Sequence, residues 1–414
     1  MTGRLSATGT QRGMSMANMA LHRGRMVAGG PGRWLAAAWL AACLWLGCCP
    51  LAQAGEPEPL YRMKSSEFVS APLVLGQDEL LYGTASGGQS GKGLVFRLTG
   101  DGRRQVLHHF SGADGDEPMG LVQAPDGALY GVTVRGGSHN DGTVYRIDPT
   151  GQFETLHHFQ RSATGGGWPR ATLMLSRDGH FYGSTSLGGP ADAGAIFRLK
   201  GQGPITWLHW FDPALDDGGY PEGRLIEASD GLFYGTTAGG GRRGSGTVFS
   251  MKRDGTVRVL HNFDFQGTDG NSPDTGVTEG PDGLLYGVAE GHRLNRRGLI
   301  YRLPRNGPLE VVYDFPPPSE QNGREPLQPL TLGRDGAFYG STSRGGIGGQ
   351  SGTLFRYTTD GQFTPLHAFG PEDPVGEVAS AALLERADGE FIGATTWGGP
   401  RGRGSIFRLQ VSPP

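Results

Sequence analysis

Leu121-Val122-Gln123-Ala124 is followed by Pro125-Asp126-Gly127, then by Leu129-Tyr130-Gly131-Val132-Thr133 and a loop at 136–142. Thr143-Val144-Tyr145-Arg146-Ile147 comes next, then a turn at Thr150-Gly151, and finally the run from Phe153 to Phe159. Four short apolar runs alternate here with turn chemistry. Asp-Gly supplies the positive-φ residues that tight hairpins need, so the stretch predicts four antiparallel strands.

The pattern recurs. Its Tyr-Gly pair stands at Tyr82-Gly83, Tyr130-Gly131, Tyr182-Gly183, Tyr234-Gly235, Tyr286-Gly287 and Tyr339-Gly340, with Ile392-Gly393 as a seventh copy. Successive glycines lie 48, 52, 52, 52, 53 and 53 residues apart. Asp-Gly marks the first turn in six units (Asp126, Asp178, Asp230, Asp282, Asp335, Asp388). Four strands per unit of about 50 residues predicts the blade of an all-β, seven-bladed propeller with repeats of about 52 residues. A solenoid would have shorter rungs and capping repeats. With 74 Gly and 28 Pro in 414 residues, a mainly helical fold is excluded.

The ends of the repeat array predict how the ring closes. The seventh unit stops after Ile406-Phe407-Arg408-Leu409 and lacks its fourth strand. Leu60-Tyr61-Arg62-Met63 matches Leu107-His108-His109-Phe110 but has no unit before it. This segment is expected to complete blade seven and remove the open edge.

Residues 1–54 contain five Arg, no Lys and no Asp or Glu, with an uninterrupted apolar run from Trp34 to Leu46 and an Ala52-Gln53-Ala54 ending. That is the layout of a secretory signal cleaved after Ala54, with Met26 as an alternative start. The apolar run is short for a membrane span. Leu46-Gly47-Cys48-Cys49 resembles an acylation site, with Trp45 where Leu is usual, and ranks below cleavage at Ala54. The propeller is then 55–414, and the chain is expected to be exported to the periplasm, cell surface or exterior. The mature chain keeps 32 Lys+Arg against 40 Asp+Glu and none of the three Cys (43, 48, 49). A net charge of −8 speaks against nucleic acid as a partner, and thiol chemistry is excluded.

The unit Leu-Tyr-Gly-(Thr/Val)-Thr…Gly-Gly…Gly-Thr-Val-Phe-Arg-Leu…Asp-Gly…Leu-His-x-Phe resembles the GloVer tandem repeat of secreted bacterial proteins, often grouped as "choice-of-anchor" proteins. The resemblance spans 66–409, with the fullest copies at 129–159, 233–263 and 338–369. It implies export and surface or extracellular residence, and no particular chemistry. The last residues, Val411-Ser412-Pro413-Pro414, show no sorting helix, so anchoring through the C-terminus is not expected.

Within a repeat, a residue shared by most units serves the architecture and a deviating one is the functional candidate. The recurrent His (108, 157, 209, 261, 367) would be spread around a ring and cannot converge on one metal; a hydrogen-bonded rung is expected instead. The recurrent Arg (97, 146, 198, 302, 356, 408, with Ser250 as the exception) is expected to pair with a carboxylate or stack on Tyr. The Gly of Tyr-Gly is expected to allow close packing or a bulge. Gly239-Gly240-Gly241-Arg242-Arg243-Gly244 fits a dinucleotide pattern only literally, because no helix follows.

The deviating residues fall in loops expected on one face. Trp168 and Tyr220 each precede a Pro in successive inter-blade loops, and Trp397 lies in a loop of the seventh unit. Exposed aromatic faces suit sugar rings or protein contacts. Arg242, Arg243, His292 and Arg293 form a basic group that could hold acidic sugars or phosphate. No metal site or cofactor is expected, calcium on the acidic loops being the nearest fit, although none matches a twelve-residue calcium loop. These readings predict a monomeric binding propeller for polysaccharide or protein. A propeller glycosidase or lyase with carboxylates at the central channel is the alternative, and a purely structural repeat the third. No catalytic residue is assigned.

Overall fold

A computed structural model describes residues 53–64, 67–69, 71–317, 323–399 and 402–412, and in it every repeat becomes one antiparallel sheet. Blades 1 to 6 occupy 74–109, 116–158, 174–210, 226–262, 277–314 and 331–368, each with four strands. Blade 7 occupies 377–412 together with the strand Glu58–Arg62. The described residues contain no α-helix, only two three-residue 3-10 turns at Pro213–Leu215 and Ile347–Gly349. The expected signal segment, Met26 and the three cysteines lie outside the described residues, save that Gln53–Ala54 pairs with Ser412 and Val411.

The repeat motif is explained by register. Within each blade, the second and third strands place Gly83 opposite Phe96, Gly131 opposite Tyr145 and Gly183 opposite Phe197, and so on round the ring. A Cβ on Gly183 would stand 2.6 Å from the Phe197 ring and 2.7 Å from Leu173. The glycine therefore lets an aromatic ring lie flat on the backbone beside the inner strand. The next register position pairs Tyr82 with Arg97, Tyr182 with Arg198 and Tyr339 with Arg356. In blades 1 and 3 to 6 the Asp of the first turn, four residues before the Tyr, accepts from its hydroxyl, as in Tyr82 to Asp78 at 2.7 Å, Tyr234 to Asp230 at 2.6 Å and Tyr286 to Asp282 at 2.7 Å. One Asp thus shapes a turn and satisfies the hydroxyl of a buried tyrosine.

The closure is as expected, and a bulge makes the equivalence exact in detail. The fourth strand of blade 1 skips Leu107 between its pairings with Val95 and Phe96, and blades 2 to 6 skip Leu156, Leu208, Leu260, Val312 and Leu366 at the same place. The strand Glu58–Arg62 skips Leu60 in its pairing with the strand Ser405–Ser412. Met63 donates its backbone N–H to Gly404, as Phe110 does to Gly93 and Phe369 to Gly352. The chain's two ends therefore share one blade, and the strand Ser405–Ser412 is paired on both sides.

The core is divided among seven seams, each built from two neighbouring blades. Blades 3 and 4 meet through Met174, Tyr182, Leu225, Phe233 and Phe249. Blades 7 and 1 meet in the same way through Met63, Leu73, Phe96, Ile392 and Ile406. A recurring element is the Tyr of one blade against the aromatic that opens Phe-Tyr-Gly in the next, such as Tyr130 on Phe181 at 4.1 Å and Tyr182 on Phe233 at 4.4 Å. Each blade buries apolar area on both flat faces, which is why single repeats are not expected to stand alone.

Candidate functional site

The conserved-in-register polar groups serve the ring. His108, His209, His261 and His367 reach Asp114, Asp217, Asp269 and Asp373 of the following inter-blade loop at 2.8, 2.9, 2.7 and 2.5 Å. The bond runs to the loop rather than across the sheet, and the same Asp caps backbone N–H groups such as Ser111 and Asp212. Burial pushes the His108 imidazole below its usual pKa. Asp114 is held below the ordinary carboxylate range because hydrogen bonds from Ser111 and His108 outweigh its partial burial. The recurrent Arg is also occupied: Arg356 meets Asp335 at 2.7 Å, Arg302 meets Glu310 at 2.7 Å and Arg408 meets Glu58 at 2.6 Å. In blade 4, where Ser250 takes that place, Arg305 of blade 5 reaches across to Asp230 at 2.6 Å and to the Tyr234 hydroxyl at 2.7 Å.

The aromatic candidates occupy a defined backbone position. Glu117, Trp168, Tyr220, Ser272, Glu325 and Val378 all have φ between 45° and 59° or 60°, unusual for residues with a Cβ. The conformation is enforced by the junction. Trp168 donates its N–H to Asp141 of the preceding blade and accepts from Ser186 of its own, and Tyr220 does the same with Ala193 and Ala238. The side chains at this position are thus presented by a locked backbone, whatever their type. Trp168 is half-buried between the guanidinium groups of Arg135 and Arg170, at 5.1 and 5.7 Å from its ring. Tyr220 and Trp397 are 41% and 57% exposed.

Three of the basic candidates lie beside acids. Arg242 lies 3.4 Å from Asp216 and Arg243 2.8 Å from Asp264. His292 is buried, 3.7 Å from Asp314, and Arg293 donates its backbone N–H to Phe265. Among the described residues no group of three or more His, Cys, Asp or Glu is placed to hold a metal ion.

A site not singled out from the sequence lies on the axis. A cavity of about 710 Å³ is walled by the inner strands of all seven blades, largely by apolar side chains such as Leu73, Met119, Leu330 and Leu383. Charge enters it from four consecutive blades, beginning with Glu117 of blade 2. Arg170, Glu222 and Asp274 each follow the junction proline of blades 3, 4 and 5, and Arg224 sits two residues further along blade 4. Arg170 pairs with Glu222 at 3.4 Å. Asp274 has no such partner; burial, then the nearby charges of Glu290 and Glu222, raise its pKa to about 6. The signal was present in the repeat: at the position of Arg224 the other blades carry Pro72, Gly120, Thr172, Gly276, Pro329 and Ala382. Only the fold shows that this row faces a lumen.

The chain is a seven-bladed propeller whose axis holds an apolar cavity of small-molecule size with a few convergent polar groups. The chain belongs to the Gloeobacter/Verrucomicrobia repeat family, whose model matches residues 69–296 and 276–413. Among curated proteins none matches its sequence. Solved propellers resemble it in fold at low identity. The extracellular domain of a protein named as a hybrid two-component system of B. thetaiotaomicron shares 11% identity at TM-score 0.57, covering 86% of this chain and 39% of that one. A puromycin hydrolase shares 15% at TM-score 0.55, covering 86% and 52%. A puromycin-hydrolyzing peptidase of Mycobacterium tuberculosis shares 13% at TM-score 0.50, covering 86% and 54%. The chain spans about half or less of the length of these three. Among the described residues no helix is long and apolar enough to cross a membrane.

Proposed function

We infer that the protein is an exported binding propeller that takes a carbohydrate-type ligand at the central cavity, with residues 1–54 as the export signal. The observation carrying this is the cavity itself: about 710 Å³, walled by all seven blades and charged along one arc only. Apolar walls suit the faces of sugar rings, while Arg170, Glu222 and Asp274 offer hydrogen bonds to hydroxyls at fixed positions. The exposed rings of Tyr220 and Trp397 on the surrounding loops could extend such contacts to a longer chain. Family membership and the extracellular-domain relative agree with export.

The test is a thermal melt of residues 55–414 against neutral and acidic oligosaccharides. A ligand at 100 times its Kd adds about 2.7 kcal/mol, so a specific ligand raises Tm measurably. A flat panel, confirmed by calorimetry, would overturn the binding reading.

Sugar cleavage is the second reading, favoured by one observation. Glu222 and Asp274 stand on adjacent blades in unequal surroundings, one paired to Arg170 and the other with its pKa raised to about 6. Two carboxylates pushed apart in this way suit an ionised and a protonated role in glycoside hydrolysis. Product analysis on any sugar that binds decides it: turnover lost in Glu222→Gln and in Asp274→Asn supports hydrolysis, and an intact sugar after long incubation rejects it.

A further inference from the structure

Arg224 is the least expected residue of the channel. In its row the six other blades place Pro72, Gly120, Thr172, Gly276, Pro329 and Ala382, none with a long side chain. The row leaves open space on the axis, and one guanidinium enters it. Arg224 is exposed to the lumen, and desolvation by the neighbouring walls lowers its pKa. It remains charged, because arginine is not deprotonated in proteins. Among the described residues it has no ion pair and no side-chain hydrogen bond. Arg356, Arg302, Arg408 and Arg305 are each matched by an acid; Arg224 stands in the lumen with no protein acceptor among the described residues for its five donors.

We propose that Arg224 binds the carboxylate of an acidic sugar whose hydroxyls reach Arg170, Glu222 and Asp274 one step nearer the loop face. This rests on the binding reading above and names its ligand class. The step follows from chain reach: Glu222 and Arg224 are two residues apart in the segment before the strand Ile226–Glu227, and two residues span at most about 7 Å, roughly one sugar ring. A planar carboxylate matches the guanidinium fork. Groups with two charges on one centre, such as a phosphate monoester, fit poorly, because the cavity walls also carry Glu117, Glu222 and Asp274 against the two arginines.

The geometry also makes the site respond to pH. Asp274 faces Glu222 from blade 4 and Glu290 from its own blade, with the unpartnered Tyr301 hydroxyl buried beneath the same inner strand; blade 6 presents the uncharged Leu327 and Gln328 to the cavity. With its pKa raised to about 6, Asp274 is ionised at pH 7.5 and neutral at pH 5. Acidification therefore removes one negative charge from the path of an anionic ligand while a uronate remains ionised.

The experiment is calorimetry of the 55–414 chain with trigalacturonate, its fully methyl-esterified form and free galacturonate. Trigalacturonate is expected to bind at least tenfold more tightly than the ester, and roughly fivefold more tightly at pH 5 than at pH 7.5. Arg224→Ala should erase the preference for the acid, and Asp274→Asn should erase the pH dependence while keeping that preference. Arg224→Gln serves the same purpose should the alanine variant fail to fold. Galacturonate binding as tightly as the trimer supports the proposal and assigns the site to a single acidic residue. Equal affinity for acid and ester, or an unaltered preference in both Arg224 variants, overturns the proposal and leaves the binding reading standing. No binding by any of the three, while another oligosaccharide raises Tm, overturns the proposal alone. No binding by any sugar overturns both.

Discussion

Arg356 in blade 6 and Arg224 in blade 4 stand in two regions with opposite logic. The first lies on the third strand beside Tyr339 and pairs with Asp335 at 2.7 Å, as part of an Asp-Tyr-Arg cluster repeated around the ring. The second projects into the axial cavity without a partner. At the position of Arg356 six of seven blades carry Arg; at that of Arg224 one does. Repetition here marks groups that satisfy each other, and departure from it marks groups left for something else. Arg305 sharpens the point, because when blade 4 loses its own arginine to Ser250, a neighbouring blade supplies another to the same Asp and Tyr. In the ring a missing arginine is replaced from the next blade, whereas the axial arginine has no protein partner among the described residues.

The comparison can be broken most forcefully at closure. Deleting residues 55–63 removes the fourth strand of blade 7 and exposes the strand Ser405–Ser412. Loss of a seam and an open edge is expected to consume most of a domain's 5–15 kcal/mol and to cause aggregation, seen as loss of a cooperative melt and of a monomer peak. A cooperative melt near the parent Tm would show that closure is not what holds the ring.

The next effect is steric. Gly183→Val puts new atoms against the Phe197 ring and Leu173 and is expected to cost about 3 kcal/mol by chemical denaturation, at the upper end of ordinary overpacking.

Arg305→Ala strips Asp230, Tyr234 and Glu279 of a shared partner and should cost about 1–2 kcal/mol. Adding Ser250→Arg, which restores the repeat at the register opposite Tyr234, should recover part of that loss. Strict additivity of the two changes would refute the compensation.

The smallest effect is the pH dependence of stability. The folded pKa of His108 lies below its usual value, so the unfolded chain takes up protons more readily and stability falls as pH drops through about 6.5. Asp114, also lowered, contributes stability above about pH 4 that is lost below it. Asp274 has the opposite sign: its contribution is favourable at low pH and is lost as pH rises through about 6. Asp274→Asn should therefore raise Tm at pH 7.5 and not at pH 4. A parallel shift at both values would remove Asp274 from the account.

Most of the fold was legible because the repeat states each structural demand seven times. Tyr-Gly every 52 residues, Asp-Gly at the turns and the stray Leu60-Tyr61-Arg62-Met63 were sufficient for blade number, strand number and closure, since period, turn type and a missing strand are all one-dimensional. The roles of the recurrent His and Arg were readable in kind, but their partners were not. Asp114 and Asp269 look like ordinary loop acids until the loop folds back on the imidazole. The loop-borne candidates Trp168, Tyr220, Trp397, Arg242, Arg243, His292 and Arg293 were chosen by the same comparison of units, yet the comparison weighed loops and passed over the inner strand, where Arg224 departs more sharply.

What the sequence by itself determined, then, is everything that depends on spacing and local chemistry: strands, turns, sevenfold repetition and the join of the two ends. What only the tertiary structure decided is which charges meet. Asp216 and Arg242 lie 26 positions apart and neutralise each other across a blade junction, while Glu222 and Asp274, 52 positions apart, become neighbours on the axis. Electrostatic partnership is set by distance in space and by exclusion of water, and neither is encoded in any one repeat; both arise when seven repeats close around a common lumen.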